Sequence, residues 1–268
     1  MKQLVSSKYT WSIFILLLLI AVDVVLHKGI VRVMLGGNTA TIQPFNSLLP
    51  EQHTLIIKNK NWVKAVNDPS LLARVDSTAG GFECDVYFNE QLNDFIVHHD
   101  SASQVKLADI LKVYAARKLD VGIWLDFKNL RTANLRASLD RLVEARDSFG
   151  LSGKMIIEAG DPGLLSAFAS RGFYTSYYVP YFNPYQRDKY VMDSIAGLIA
   201  QKLRLSPTAA LSGYYFQYPF LKQYFPNYPV LTWSDYSEFS VMSPLFAYKL
   251  RDDSHIAVIL FPLDSGAF

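Results

Sequence analysis

From residue 62 onward the apolar positions alternate between two spacings. Short runs rich in Val, Ile, Phe, Tyr and Trp read as strands at Trp62–Val66, Phe82–Phe88, Ile123–Phe127, Met155–Ala159, Thr175–Val179, Tyr214–Tyr218, Val230–Trp233 and Ile256–Phe261. Between most of them the apolar residues recur at helical spacing. Lys106–Lys118 carries Leu107, Ile110, Leu111 and Tyr114, and Leu135–Phe149 carries Leu135, Leu139, Leu142 and Val143. Pro162–Ser170 opens with Asp161 as a cap and Pro162 at the first helical position. Tyr185–Leu203 and Val241–Leu250 complete the series, and Phe220–Tyr224 reads as no more than a short helical turn. Eight strands alternating with helices predict an α/β protein with a parallel sheet, and eight strands close a (β/α)₈ TIM barrel. The alternative is a doubly wound open sheet, which normally carries a Gly-rich turn after its first strand. Here Val66 is followed by Asn67-Asp68-Pro69.

The pattern before residue 62 is different. An almost purely apolar run, Trp11 to Val22, is interrupted by Asp23 and resumes with Val24, Val25 and Leu26; Ile30, Val31, Val33, Met34 and Leu35 extend it past His27 and Lys28. A membrane span needs about 20 predominantly apolar residues. The run has no small-x-small cleavage site after it, so residues 1–35 are predicted to be a single-pass anchor, with a cleaved signal peptide as the alternative. Lys2 and Lys8 before the run, against Lys28 and Arg32 after it, give a slight N-in bias that puts the rest of the chain on the extracytoplasmic, periplasmic side. Residues 36–53, with Gly-Gly, Asn, Pro and Ser, read as a linker, and 54–268 as the barrel domain.

Composition narrows the function. The chain has 268 residues, 50% hydrophobic and 19% charged, which suits one folded domain rather than a disordered chain. A net charge of +2 without a basic run argues against a nucleic-acid partner. One cysteine, Cys84, excludes an internal disulfide, and no Cys/His cluster suggests zinc.

Barrel chemistry sits where strands end. In Gly81-Phe82-Glu83-Cys84-Asp85-Val86-Tyr87-Phe88 the side chains alternate faces, so Glu83 and Asp85 share the face opposite Phe82, Cys84 and Val86 and point into the barrel. Two carboxylates side by side are costly unless a cation or hydrogen-bond donors compensate them. In Ile123-Trp124-Leu125-Asp126-Phe127-Lys128-Asn129, Asp126 adds a third acidic ligand, and Lys128 either balances charge in a structural ion pair or meets an anionic substrate. Oxygen ligands alone favour Mg²⁺ or Ca²⁺. The extended run Phe95-Ile96-Val97-His98-His99-Asp100 brings imidazole to the mouth, where it suits acid–base work. His27, His53 and His255 have no such context. The later tyrosines, Tyr177, Tyr178, Tyr181, Tyr214, Tyr215 and Tyr218, read either as core packing or as a ligand-binding mouth.

The segments ECDVYF, VHHD and WLDFKN, in this order, resemble the PLC-like phosphodiesterase barrels, the group of the glycerophosphodiester phosphodiesterases. WVKAVNDPSLL, GGFECDVYF, WLDFKNL, SYYVP and SGYYFQYPFLKQYFPNYPVLTWSD look most like the menorin branch and its bacterial relatives, over about Trp62 to Phe261. The resemblance implies metal-dependent cleavage of a phosphodiester, glycerophosphodiester or phospholipid in type. It puts Glu83, Asp85 and Asp126 at the ligand positions for a divalent cation, Mg²⁺ or Ca²⁺, and His99 at the catalytic histidine, with His98 as a near alternative. Lys128 falls on the third-strand lysine, Asn67 on a metal or phosphate contact, and Glu158 and Trp233 on the wall of the substrate site. One position departs from the pattern: the histidine ending the first strand is Lys64 here. The alternatives are therefore a barrel that binds a ligand or protein without turning it over, or a hydrolase or lyase for a non-phosphate substrate.

Overall fold

The computed structural model describes residues 2–36, 43–99, 104–186, 188–234 and 240–265, without the side chains of residues 2–8. Residues 37–42 of the predicted linker, Asp100 of the His-His-Asp run and Arg187 in the predicted helix Tyr185–Leu203 lie outside the described residues. Two helices come first, α1 (Lys2–Leu26) and α2 (Lys28–Met34). The strands are β1 (Asn61–Val63), β2 (Gly81–Asn89), β3 (Asp94–Val97), β4 (Gly122–Phe127), β5 (Met155–Ala159), β6 (Tyr174–Tyr178), β7 (Ala210–Tyr214), β8 (Val230–Trp233) and β9 (Ile256–Phe261). The helices among and after them are α3 (Pro69–Arg74), α4 (Leu107–Ala116), α5 (Leu135–Ser148), α6 (Pro162–Ala169), α7 (Lys189–Leu205), α8 (Tyr218–Tyr224) and α9 (Met242–Asp252).

All strands except β3 run parallel, and β1 pairs with both β2 and β9, so the sheet closes on itself as an eight-stranded barrel. This is a TIM barrel. β3 is an antiparallel addition to the upper half of β2, above the short β1, with Val86 opposite Val97 and Tyr87 opposite Ile96. Asp161 and Asp68 start α6 and α3 by accepting hydrogen bonds from Gly163 N (3.0 Å) and Ser70 N (2.7 Å), each with proline next in sequence.

One predicted strand is displaced. Tyr214–Tyr218 is not a strand: β7 is Ala210–Tyr214, and Tyr218 opens α8. The aromatic run has high strand propensity, but Pro219 suits a first helical turn, and Tyr218, Phe220, Leu221 and Tyr224 bury one face against the barrel. The first inward positions of β7, Ala210 and Ser212, are instead small, which hides the strand from a search for bulky alternation.

Two apolar layers result. Outward residues of the strands pack under the helices, and the barrel has its own interior of Trp62, Trp124, Ile156, Tyr174, Leu231 and Val258. The Trp62 indole fills the floor. Gly81 and Gly122 lie in register beside it, and a Cβ on Gly122 would stand 2.2 Å from the indole Cη2. Below the floor, the end of the predicted linker and the first residues after it are bound to the barrel, with Glu51 N donating to Thr208 O (3.0 Å) and Ile56 N to Gly153 O (2.7 Å). At the start of the sequence, α1 is long and apolar enough over Tyr9–Leu26 to cross a membrane, as an anchor or a signal sequence would be.

The floor gives the first prediction. Gly122→Ala forces the indole to move and is expected to cost about 1–3 kcal/mol, the range for overpacking, whereas Trp62→Ala, which empties the floor, costs about 3–5 kcal/mol. Urea denaturation followed by far-ultraviolet circular dichroism measures both; a neutral Gly122→Ala would contradict this packing.

Candidate active site

A cavity of ≈ 150 Å³ opens at the C-terminal ends of the strands. Its wall brings together Lys64, Glu83, Asp85, His99, Asp126, Lys128, Glu158 and Trp233, and adds Ala65, Trp124, Tyr178, Tyr214 and Leu260. Strand register explains the acidic side. Asp85 lies opposite Asp126, and Asp126 opposite Glu158, so three neighbouring strands present carboxylates at one level, with Glu83 one inward step lower on β2. Oxygens of Glu83, Asp85 and Asp126 all lie within 4.8 Å of one another.

Two devices hold this charge in place. The first is the loop after β1. Ala65 adopts φ 58°, a left-handed conformation that costs a non-glycine residue about 1–2 kcal/mol. The turn ends the strand after Lys64, and the Ala65 amide donates to Glu83 Oε2 at 2.7 Å. Two residues on, Asn67 clasps Asp85: its Nδ2 donates to Asp85 Oδ2 at 2.7 Å, and its Oδ1 accepts from the Asp85 amide at 2.8 Å. Asn67 thus orients a carboxylate from behind and is not part of the cavity wall.

The second device is Lys128. Its ammonium bridges Asp85 Oδ1, at 2.6 Å, and Asp126 Oδ2. Burial opposes its charge, but the two carboxylates more than offset this and hold the ammonium well above the ordinary lysine range. Its backbone is fixed as well: Lys128 N donates to Val86 O (3.0 Å), and the Asn129 side chain exchanges two hydrogen bonds with the Phe88 backbone. The predicted ion pair is present, and the same residue lines the cavity.

One ammonium does not balance four carboxyls. Burial first, then the charge of Asp85, pushes the Glu83 carboxyl up to about 8. Burial also raises Asp126, against the pull of Lys128. Glu158 is raised well above the usual carboxylate range by burial and then by Asp126; it is 2% exposed, and its Oε2 has no hydrogen-bond partner. Such a set is poised to take a cation in exchange for protons. Hard oxygen donors at this spacing fit Mg²⁺ or Ca²⁺.

The two histidines separate. His99 is exposed on the cavity wall, which it shares with Asp126. His98 lies off the wall, with its ring stacked on Tyr87 at 4.1 Å between centroids and 5° between planes. Among the tyrosines, Tyr178 and Tyr214 line the cavity with Trp233, while Tyr177, Tyr215 and Tyr218 are buried in packing. The Ala65 amide has no signal in the sequence, since a left-handed alanine cannot be read from composition. Leu260 and Trp124 follow from strand alternation alone.

No family model matches this sequence, and no curated protein matches it. Solved structures do. A glycerophosphodiester phosphodiesterase from Parabacteroides distasonis aligns with a TM-score of 0.55 at 15% identity, over 79% of this chain and 95% of that one. Two proteins provisionally assigned the same activity, from Silicibacter pomeroyi and Galdieria sulphuraria, align with TM-scores of 0.51, at 9% and 8% identity, over 81% of this chain and 93% and 97% of theirs. The barrel is similar to those of glycerophosphodiester phosphodiesterases. At these identities the likeness is one of fold.

The Glu83 carboxyl yields a pH prediction. Between an ordinary glutamate pKa of 4.5 and the folded value of about 8, the folded chain keeps a proton that the unfolded chain has released. Its contribution to stability is therefore lost as pH rises through that window. In chelator-treated protein, the fall in Tm from about pH 5 to about pH 8 is expected to be smaller in Glu83→Gln than in the parent. Equal falls would show that Glu83 is not the group.

Proposed function

We propose that this chain is a membrane-anchored, divalent-cation-dependent phosphodiesterase of the PLC-like group, acting on a glycerophosphodiester or phospholipid-type substrate. The observation that carries the reading is the convergence of Glu83, Asp85 and Asp126, within 4.8 Å, with His99, Lys64 and Lys128 around one cavity. The motifs quoted above support a place near the menorin branch, and α1 supports the anchor, with the barrel on the extracytoplasmic side.

Glu83, Asp85 and Asp126 would hold the cation, Mg²⁺ or Ca²⁺. When bound, it supplies Lewis-acid polarisation of the phosphoryl oxygens. His99 takes the proton from the attacking water or substrate hydroxyl as the new P–O bond forms, and returns it to the leaving alkoxide as the old P–O bond breaks. Lys64 stands where a second histidine would share this work. A charged ammonium has no lone pair and cannot act as a base. Lys64 instead meets the negative charge that grows on the phosphoryl oxygens. Tyr178, Tyr214 and Trp233 supply an apolar wall for the organic part of the substrate, and Glu158 its buried polar end.

Calorimetric titration of Mg²⁺ and of Ca²⁺ into the full chain in detergent tests the site. Binding is expected in the parent and in His99→Ala, and not in Asp85→Ala. Turnover of a phosphodiester is expected to fall by about 10²-fold or more in both variants, with circular dichroism confirming the fold. Full activity in both would overturn the assignment of these residues. Lys64 motivates a second reading, a barrel that binds a diester without cleaving it. Ligand binding that is insensitive to His99→Ala, with no turnover by the folded parent, would favour that reading.

A further inference from the structure

Asp23 interrupts the apolar run of α1, yet it is 8% exposed. Its Oδ2 accepts from the amides of Val241 (3.0 Å) and Met242 (3.1 Å), and its Oδ1 pairs with His27 Nδ1 (2.9 Å). Val241 and Met242 open α9, so Asp23 caps a barrel helix from outside that helix's own sequence, alongside the local cap Ser240, whose Oγ accepts from Met242 N (3.1 Å) and Ser243 N (3.0 Å). A carboxylate here satisfies amides that have no partner within the helix and meets the positive end of its dipole. α2 then continues down α9: Ile30 and Val33 are buried in the barrel's outer layer, and Lys249 Nζ donates to Val33 O (3.1 Å) and Met34 O (3.2 Å). The N-terminal segment is clamped to the barrel at both ends of α9.

The position of the clamp sets an orientation. α9 follows β8, so its first turn lies on the same face as the cavity mouth. Tyr9–Leu26 is 18 residues long, about 27 Å at 1.5 Å per residue, and the hydrocarbon core of a bilayer is about 30 Å. Crossing takes nearly the whole window, which leaves Asp23 within one helical turn of the hydrocarbon boundary and the first turn of α9 beside the lipid headgroups. The mouth then faces the membrane surface.

The rim on that face is apolar and aromatic. Tyr181 in the β6–α7 loop, Tyr190 and Val191 in the first turn of α7, and Val241 and Leu245 at the start of α9 are all exposed. An aromatic ridge links this rim to the cavity and to the anchor. Tyr181 packs on Tyr214 (5.2 Å between centroids), Tyr214 on Trp233 (4.7 Å) and on Phe216 (5.2 Å), and Phe216 on Tyr215 (5.4 Å), whose hydroxyl abuts Gly29 of α2. Tyrosine and tryptophan are the side chains that favour the headgroup layer.

We infer that α1 is a docked anchor rather than a loose tether: through Asp23 it holds the mouth of the barrel against the bilayer, and the site takes a phosphodiester from a diacyl lipid of that same membrane. The substrate class rests on the phosphodiesterase reading above; the orientation does not. Cys84 is buried, so a cysteine introduced at the rim can be labelled selectively. The full chain, carrying a nitrobenzoxadiazole probe on Tyr181→Cys or on Ser148→Cys at the opposite end of the barrel, is placed in nanodiscs of equal parts phosphatidylcholine and phosphatidylglycerol with headgroup spin-labelled lipid. Quenching is expected to be several-fold stronger at position 181 than at 148, and to fall by half or more at 181 when Asp23→Ala is added. Equal quenching at the two positions, or none lost with Asp23→Ala, overturns the docked orientation. In the same discs, cleavage of the lipid phosphodiester is expected in preference to glycerophosphocholine supplied in solution. Preference for the soluble diester overturns the lipid assignment. Absence of both activities with quenching intact overturns the hydrolytic reading and leaves the orientation standing.

Discussion

Four carboxyls sit on three adjacent strands inside one barrel, and most of what is unusual around them answers their mutual repulsion. Like charges this close, out of water, cannot all ionise unless something compensates them. The left-handed Ala65 gives an amide to Glu83, Asn67 gives one side chain to both ends of Asp85, and Lys128 ties Asp85 to Asp126. What remains uncompensated appears as raised Glu83 and Glu158 carboxyls. None of these features stabilises a barrel by itself. A floor of Trp62 over two glycines does that and would do so under an apolar mouth as well.

The acidic side was legible because strand alternation is strict. Glu83 and Asp85 on one face of β2, and Trp124 and Asp126 on one face of β4 with Lys128 just past its end, could be placed inside once the opposite faces were seen to be apolar. The same rule separates His98 from His99, since consecutive residues of an extended chain cannot both face the mouth; it does not say which one does. That choice is made past the end of β3: the antiparallel register carries His98 opposite Asp85, where its ring stacks on Tyr87, and the chain then bends at His99 and brings that ring to the cavity wall. Pairing between an added strand and a barrel is a tertiary fact without a local signal.

β7 was misplaced for a related reason. Inside a barrel that narrows to a packed floor, some inward positions must be small, and Ala210 and Ser212 give a strand little propensity of its own. The neighbouring aromatic run has the propensity and belongs to a helix, because its apolar face is wanted outside the sheet. α3, six residues long, was too short to show a helical period, although Asp68-Pro69 carries its cap. Local preference yielded to packing in the first case and to length in the second.

Asp23 shows how an apparent defect in a pattern carries the most information. Read along the chain, it shortens an apolar run and blurs the distinction between an anchor and a cleaved signal. Within the fold it is the cap of a helix whose sequence supplies no such carboxylate, and the residues after it, Ile30 and Val33, complete the outer apolar layer. Loss of this segment would uncover the Val241 amide, leave Met242 N to Ser240 Oγ alone, and expose that layer. A free tether needs neither contact, and a signal destined for removal needs neither. On the docked-anchor inference, these contacts are what would fix where the mouth of the barrel points.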